Sequence, residues 1–525
     1  MRAALDIMAA QWRSKMNDTA SKPGRSARES AGQLIMIRFP GTVLDDDTAQ
    51  FLRDNHIRAV CLFRQNMVDA AQLSKLTADL RAVMGPHALI GIDQEGGAVV
   101  RATWLPAPPA AMSLGASNDL GLACAVGAAV ARGIRSLGFN WNFAPVLDLN
   151  NNPANPVIGE RSFGSDPQRA TELALAWMEG SLAEGVACCV KHFPGHGDTH
   201  VDSHRDLPTV DKPRDALDAL ELAPFKAAQR APAMMSAHIV YPALDVEHPA
   251  TLSRKILTDL LRTEWDYRGV IITDGMDMHA IAGRYGVGNA AVQALAAGAD
   301  MVMALGNRNT QEETLAALTA ALSAAEEGSH LDHAGITARL ARLDALATAY
   351  PCAADRYLTE AEDQSLMAAA WRRGLTVSGN PQPLADGAKV RLLACANAAG
   401  DGVSEAGLPA SAVAAMLARR YDLELVTFDD AESFDWSTLP ADGRTVILAS
   451  TTRARYGARA RQSWRPDLHL ALWNPFQTLD IAAPALISYG FADPALDAVA
   501  DWLAGTQAAE GRIPLASVAS MVFRT

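Results

Sequence analysis

Cysteine is scarce. Cys61, Cys124, Cys188, Cys189, Cys352 and Cys395 make no CxxC pair, and several sit in apolar runs, so they read as small core residues rather than a disulfide or zinc framework. Long apolar stretches are missing too, which removes a membrane-spanning segment. No block of Lys and Arg occurs in a chain of net charge -13, which argues against a nucleic-acid surface and suits a neutral or amphiphilic small substrate. The first residues lack the unbroken apolar centre of a secretory signal, because Asp6 and Arg13 interrupt it; cytosolic residence is the expectation. No repeat of solenoid period is present, and low complexity is confined to Ala-rich helical stretches such as 315–325.

What is present is an α/β pattern. At 525 residues the chain exceeds the size at which one core stops growing, so two domains are expected. From Ala31 to Ala345, short β-rich runs alternate with helical stretches, the pattern of repeated βα units. The candidate strands are 59–63, 88–93, 141–149, 186–192, 233–240, 269–274 and 300–304; seven of them predict a TIM-like (β/α)8 barrel. The polar stretch 351–363 reads as a linker, after which a helix at 364–373 and strands at 375–377, 390–395, 423–428, 445–449, 468–473 and 485–489 predict a smaller α/β sandwich. The expected division is thus a flexible lead-in over 1–29, a barrel over 30–350, the linker, and a second domain over 364–525.

Active sites of such barrels lie at the carboxyl ends of the strands, and the reactive residues here close their strands. Asp93 ends ALIGID, Asp148 ends FNWNFAPVLDL, Lys191 and His192 end VACCVKH, His238 falls late in MMSAHIV and Asp274 ends GVIITD. Any one of these could be an ordinary cap or turn residue; five strands delivering polar groups to one rim point to a site. Asp274 emerges from a β-branched run, where a rigid carboxylate suits a nucleophile, whereas Asp277 lies beyond the strand end, where helix capping is more natural. The segment 191–204, KHFPGHGDTHVDSH, places histidines at 192, 196, 200 and 204, but Pro194, Gly195 and Gly197 make it a loop rather than a helix. In that loop Asp202 can orient one nitrogen of His204 and leave the other for proton transfer. Arg101, Arg161 and Lys191 are candidate donors to a polar ligand, and Gly96 and Gly97 mark a turn.

These residues resemble glycoside hydrolase family 3 and, within it, the bacterial β-N-acetylglucosaminidases. The run Lys191 to Gly197 followed by Asp202 and His204 matches that subgroup without a gap. So do IDQEGG (92–97), NFAPVLD (142–148), GERSF (159–163), SAHIVYPALD (236–245), PATLS (249–253) and VIITD (270–274), nearly the whole barrel. The resemblance implies a retaining mechanism with Asp274 as nucleophile and His204, oriented by Asp202, as acid/base. It also implies that Asp93, Arg101, Arg161, Lys191 and His192 hold the N-acetylglucosamine unit, with no cofactor or metal. Ala98 stands where the family often has Arg, while Arg101 is kept.

Three other readings compete. A phosphorylase could use the same residues, since an imidazole in place of a second carboxylate repels an incoming phosphate less. A metal-dependent hydrolase could use the clustered histidines, but would leave Asp274 and the Asp202–His204 pair without a task. A non-catalytic sugar-binding protein would not need Asp274 or His204. The barrel motifs do not distinguish a muropeptide fragment from a chitin oligosaccharide, and the second domain offers no catalytic residue.

Overall fold

A computed structural model of the protein describes residues 25–200, 206–329, 331–396, 400, 403–404 and 407–519. They form two compact units. The first comprises Met1–Gln94, Gly127–Asp148 and Met178–Leu358; the second comprises Glu95–Val126, Leu149–Trp177 and Thr359–Thr525.

The first unit holds a closed barrel of eight parallel strands: β1 (Ile35–Ile37), β2 (Ala59–Cys61), β3 (Leu89–Ile92), β4 (Trp141–Asn142), β5 (Ala187–Phe193), β6 (Ala233–Ser236), β7 (Val270–Gly275) and β8 (Met301–Ala304). Each strand pairs with its successor, and β1 closes the ring by pairing Met36 with Ala59 on β2 and Ile35 with Val302 on β8. The strands are almost wholly buried, as expected of parallel strands covered on both sides, and all seven residues of β5 are inside. Capped helices alternate with them. Asp45, Asp69, Asn307 and Asp332 each accept a backbone N–H of the first turn of the helix that follows, satisfying one of its orphan donors.

The second unit contains a six-stranded sheet made of β9 (Thr376–Ser378), β10 (Lys389–Cys395), β11 (Asp422–Phe428), β12 (Thr445–Ser450), β13 (Leu468–Ala471) and β14 (Ala485–Ile487), in the order β9-β14-β13-β12-β10-β11. All neighbours are parallel except β9 and β14. The period of two sorts its side chains into two cores. Val390, Leu392 and Ala394 face a cluster with Val413, Leu417, Val499 and Leu503, whereas Leu393 and Leu448 face Phe428, Tyr456 and Trp464. The sheet is therefore covered on both faces, as an α/β sandwich requires.

Four expectations need correction. Strand β1 went unrecognised, because a three-residue strand following a helix has too short a pattern to register. The run 141–149 is a strand only over its first two residues, since Pro145 has no N–H to donate to a ladder. The lead-in is structured before residue 29: a helix spans Ala27–Gln33, capped by Ser26, whose side chain accepts from the Glu29 amide at 3.1 Å. Finally, the division is not a single cut, because 95–126 and 149–177 follow barrel strands yet belong to the second unit. There Trp371 donates to the Ala107 carbonyl at 3.0 Å, Arg373 pairs with Asp119 at 2.8 Å, and Ala110, Met112 and Ala116 share a core with Trp371, Ala485 and Tyr489. Among the described residues no helix is long and apolar enough to cross a membrane, and no cysteine is in a disulfide.

Candidate active site

The turn after β5 is built around Asp148, in the segment that follows β4. Its Oδ1 accepts the backbone N–H of His192 at 3.1 Å and of His196 at 2.7 Å, and its Oδ2 lies 2.6 Å from His192 Nδ1. One buried carboxylate thus shapes the turn after β5 and fixes His192 Nδ1 as the donor, leaving Nε2 as the nitrogen available to a ligand. Burial alone would raise the Asp148 carboxyl, but His192 and His196 hold it below the usual carboxylate range. Gly195 is needed in this turn: its φ is +136°, and a Cβ there would come within 2.9 Å of Glu221 Cβ. Tyr241 donates its hydroxyl to the Gly195 carbonyl.

His196 is buried, its ring 5.7 Å from that of His192, and its Nδ1 lies 2.8 Å from Thr199 Oγ1. Burial, reinforced by neighbouring His192, lowers it to about 4, so it is a neutral hydrogen-bonding group at physiological pH. His200 is exposed. The imidazoles at 192, 196 and 200 therefore do not form one stripe.

Lys191, also at the end of β5, donates to Asp93 Oδ1 at 2.7 Å across the rim from β3; the two side chains are 3% and 17% exposed, so the pair is largely shielded from water. Asp274 lies half-buried near the end of β7, and its Oδ1 accepts the Gly275 amide at 2.7 Å. Lys191, Asp93 and Asp274 lie at the carboxyl ends of β5, β3 and β7, alternate strands of the barrel, and burial drives the Cys189 thiol on β5 well above its usual range. His238 has a positioning task. Its Nε2 lies 2.9 Å from the Gly275 carbonyl, and its Nδ1 lies 2.9 Å from Thr251 Oγ1, which also receives Ser236 Oγ at 3.0 Å. The carbonyl can only accept, so Nε2 carries a proton and steadies the peptide next to Asp274. Asp277 does not cap the following helix, whose N-cap is Met278.

Asp202 and His204 lie outside the described residues. The flanks of their segment are anchored: Lys212 Nζ bridges Asp198 Oδ2 at 2.7 Å and Glu221 Oε1 at 2.5 Å, Val210 donates to the Val240 carbonyl at 2.9 Å, and Arg284 pairs with Asp206 at 3.1 Å.

Arg101 and Arg161 belong to the second unit. Arg161 makes a two-pronged contact with Glu95, both bonds 2.8 Å, and also donates to the Val157 carbonyl at 3.2 Å. Arg101 donates to the Val403 carbonyl at 2.9 Å. Sequence reasoning missed Glu95, reading only the turn glycines of DQEGG. It also missed Arg453 and Trp473, which both donate to Glu160 Oε1 at 2.9 Å and so fix the GERSF segment; nothing in the pattern of the second domain announced them.

Comparison with known proteins is consistent with this geometry. The pattern of the glycosyl hydrolase family 3 N terminal domain matches residues 26–346. A Beta-hexosaminidase A of Pseudoalteromonas piscicida is 37% identical over 337 residues, 59% of this chain; the chain thus spans little more than half, 56%, of that relative. A Beta-hexosaminidase of Pseudomonas aeruginosa is 37% identical over 292 residues, covering 54% of this chain and 86% of the relative. A glycoside hydrolase family 3 beta-N-acetylglucosaminidase from Paenibacillus sp. str. FPU-7 superposes with a TM-score of 0.83 at 32% identity, over 94% of this chain and 99% of that one.

Proposed function

The chain belongs to glycosyl hydrolase family 3 and is a glycoside hydrolase, and from that premise we propose that it is a retaining exo-β-N-acetylglucosaminidase acting on muropeptide or chitin-type oligosaccharides in the cytoplasm. In this reading Asp274 attacks the anomeric carbon and forms a glycosyl ester. His204, oriented by Asp202, protonates the departing oxygen and then removes a proton from the incoming water. The Lys191–Asp93 pair and His192 Nε2 present a cation, an acceptor and an imidazole to the hydroxyl and acetamido groups of the terminal sugar. Arg101 and Arg161 complete the proposed sugar-binding set, the latter stiffened by Glu95.

The observation that carries the reading is Asp274: a half-buried carboxylate at the carboxyl end of a buried barrel strand, held by its neighbour's amide, on the same strand ends that carry the Lys191–Asp93 pair. The hydrogen bond from the Gly275 amide fixes the orientation of the carboxylate, as an attacking group needs. An imidazole, whose unperturbed pKa is about 6.5, can serve as acid and base in turn around neutrality, which is the role proposed for His204.

The test is a mass spectrum of the peptide containing residue 274 after rapid quenching with a slow aryl N-acetylglucosaminide. A hexosaminyl adduct on Asp274 is expected, and its absence, with the adduct elsewhere, overturns the assignment. Asp274→Asn should lower kcat by about 10³-fold or more while preserving the fold. Products from chitobiose and a muropeptide, with and without phosphate, separate hydrolysis from phosphorolysis: free sugar at an unchanged rate supports this reading, and a phosphate-dependent sugar 1-phosphate refutes it.

A further inference from the structure

The second unit carries a pocket of about 330 Å³ that includes none of the proposed catalytic or sugar-binding residues. It is lined by Asp435, Trp436, Ser437, Arg459, Gln462 and Ser463. From it we infer a second saccharide site, which binds a β-linked pyranose chain without cleaving it.

The floor is Trp436. Its indole packs on Trp464 with ring centroids 5.6 Å apart and planes inclined by 30°. Trp464 is fully buried and does not line the pocket, so the side of Trp436 turned away from it is the one presented there. A half-buried Trp with one face supported and the other open is a rigid amphipathic platform on which a ligand ring can stack. Three positions of a single short helix, Ala458–Ser463, form one wall: Arg459, Gln462 and Ser463 stand three and four residues apart and so share a face. Beside it, Asp435 Oδ1 accepts the Ser437 amide at 3.0 Å and its hydroxyl at 2.8 Å and lies 3.9 Å from Arg459 Nη2. Those bonds hold the Asp435 carboxyl below the usual range, so it is an acceptor at neutral pH. The Gln462 amide makes no side-chain hydrogen bond among the described residues.

The chemistry of this set selects a neutral ring with one apolar face and polar edges. An equatorially substituted pyranose offers that: its axial C–H bonds cover an indole, and its hydroxyl and acetamido groups radiate toward planar amide, guanidinium and carboxylate partners. One Asp and one Arg cancel in charge, which favours an uncharged ligand over a nucleotide or phosphate. The volume sits at the lower end of small-molecule pockets, enough for a sugar unit of a longer chain. No nucleophile with a paired acid lines it, so it binds and does not react. The inference does not depend on which residues cleave the glycosidic bond.

The test is calorimetric titration of chitohexaose into full-length Asp274→Asn protein, with and without Trp436→Ala, the probe checked by mass spectrometry afterwards. Loss of one of two binding events in the Trp436→Ala variant, with turnover of a small aryl N-acetylglucosaminide unchanged in the single Trp436→Ala protein, is the expected result. Trp436→Phe should retain part of the affinity. Gln462→Ala, an exposed change that spares the core, should weaken the second event about fivefold. Identical isotherms for all variants, or a single event throughout, overturn the site. A probe found cleaved after titration points instead to a fault in the nucleophile assignment, and the same titration with N-acetylglucosamine, which cannot be cleaved, then decides the pocket by whether Trp436→Ala removes an event.

Discussion

Asp148 accepts three hydrogen bonds from the turn it shapes, two from amides and one from an imidazole, and this makes it the residue on which the geometry of Lys191 and His192 depends. Asp148→Asn keeps the size and one acceptor oxygen but turns an amide against His192 Nδ1, forcing the other tautomer. A fall in kcat/KM on the order of 10²-fold is expected, with a small change in melting temperature. Unchanged kinetics with an aryl substrate would remove Asp148 from the positioning machinery. His204→Ala has a different signature: substrates with poor leaving groups should slow far more than aryl substrates with good ones, because only the former need a proton in the transition state. Equal slowing of both would argue for another acid.

Among the elements, the start of β8 carries a concentrated set of buried charges. Asp300, wholly buried, accepts Arg262 Nη2 at 2.7 Å, Arg342 Nη2 at 2.6 Å and the Ile271 amide at 2.8 Å, which ties β8 to β7 and to the helix His333–Ala349. Asp300→Ala strands two guanidinium groups without their counter-charge, and a loss of about 3–5 kcal/mol is expected in urea denaturation. A loss under about 1 kcal/mol would mean that water reaches the arginines. Elements of this kind were only partly legible in the sequence. The strand-end rule singled out Asp93, Lys191, His192, His238 and Asp274, since buried β-branched runs that stop at a polar residue are visible in one dimension, and it singled out Asp148 on a strand that in fact stops at Asn142. Which of them would touch substrate and which would brace the others was not visible, because His238 finds Thr251 and Gly275 only after folding. β1 was too short to be seen, and Pro145 overruled an apolar run that read as one long strand.

For the molecule as a whole, pH is the informative variable. Burial lowers His196 to about 4 and His469 to about 3, against an ordinary value of 6.5. His469 Nε2 meets Ser450 Oγ at 2.6 Å, while its Nδ1 has no partner among the described residues, so a second proton would be both buried and unpaired. A histidine with a depressed folded value binds its proton more readily when unfolded. Its stabilising effect is complete above about 6.5 and is lost as pH falls toward the folded value. Stability should therefore drop between pH 6.5 and 5 by about 1.4 kcal/mol per pH unit for each such histidine, before most carboxylates titrate. His469→Gln should flatten the dependence of melting temperature on pH over this interval; a slope identical to that of the parent would show that His469 is not the source.

The interleaving of the two units, in which 95–126 and 149–177 run with residues after 358, has a consequence for inheritance. A gene severed once near codon 350 would yield a front half still carrying Ala110, Met112 and Ala116 without Trp371 and Tyr489, their companions in one core. Such a product should precipitate rather than fold, as its solubility on expression will tell. Swapping back halves between homologues must accordingly replace three separate stretches together, so evolution can edit this enzyme by loops far more readily than by exchange of its carboxyl-terminal half.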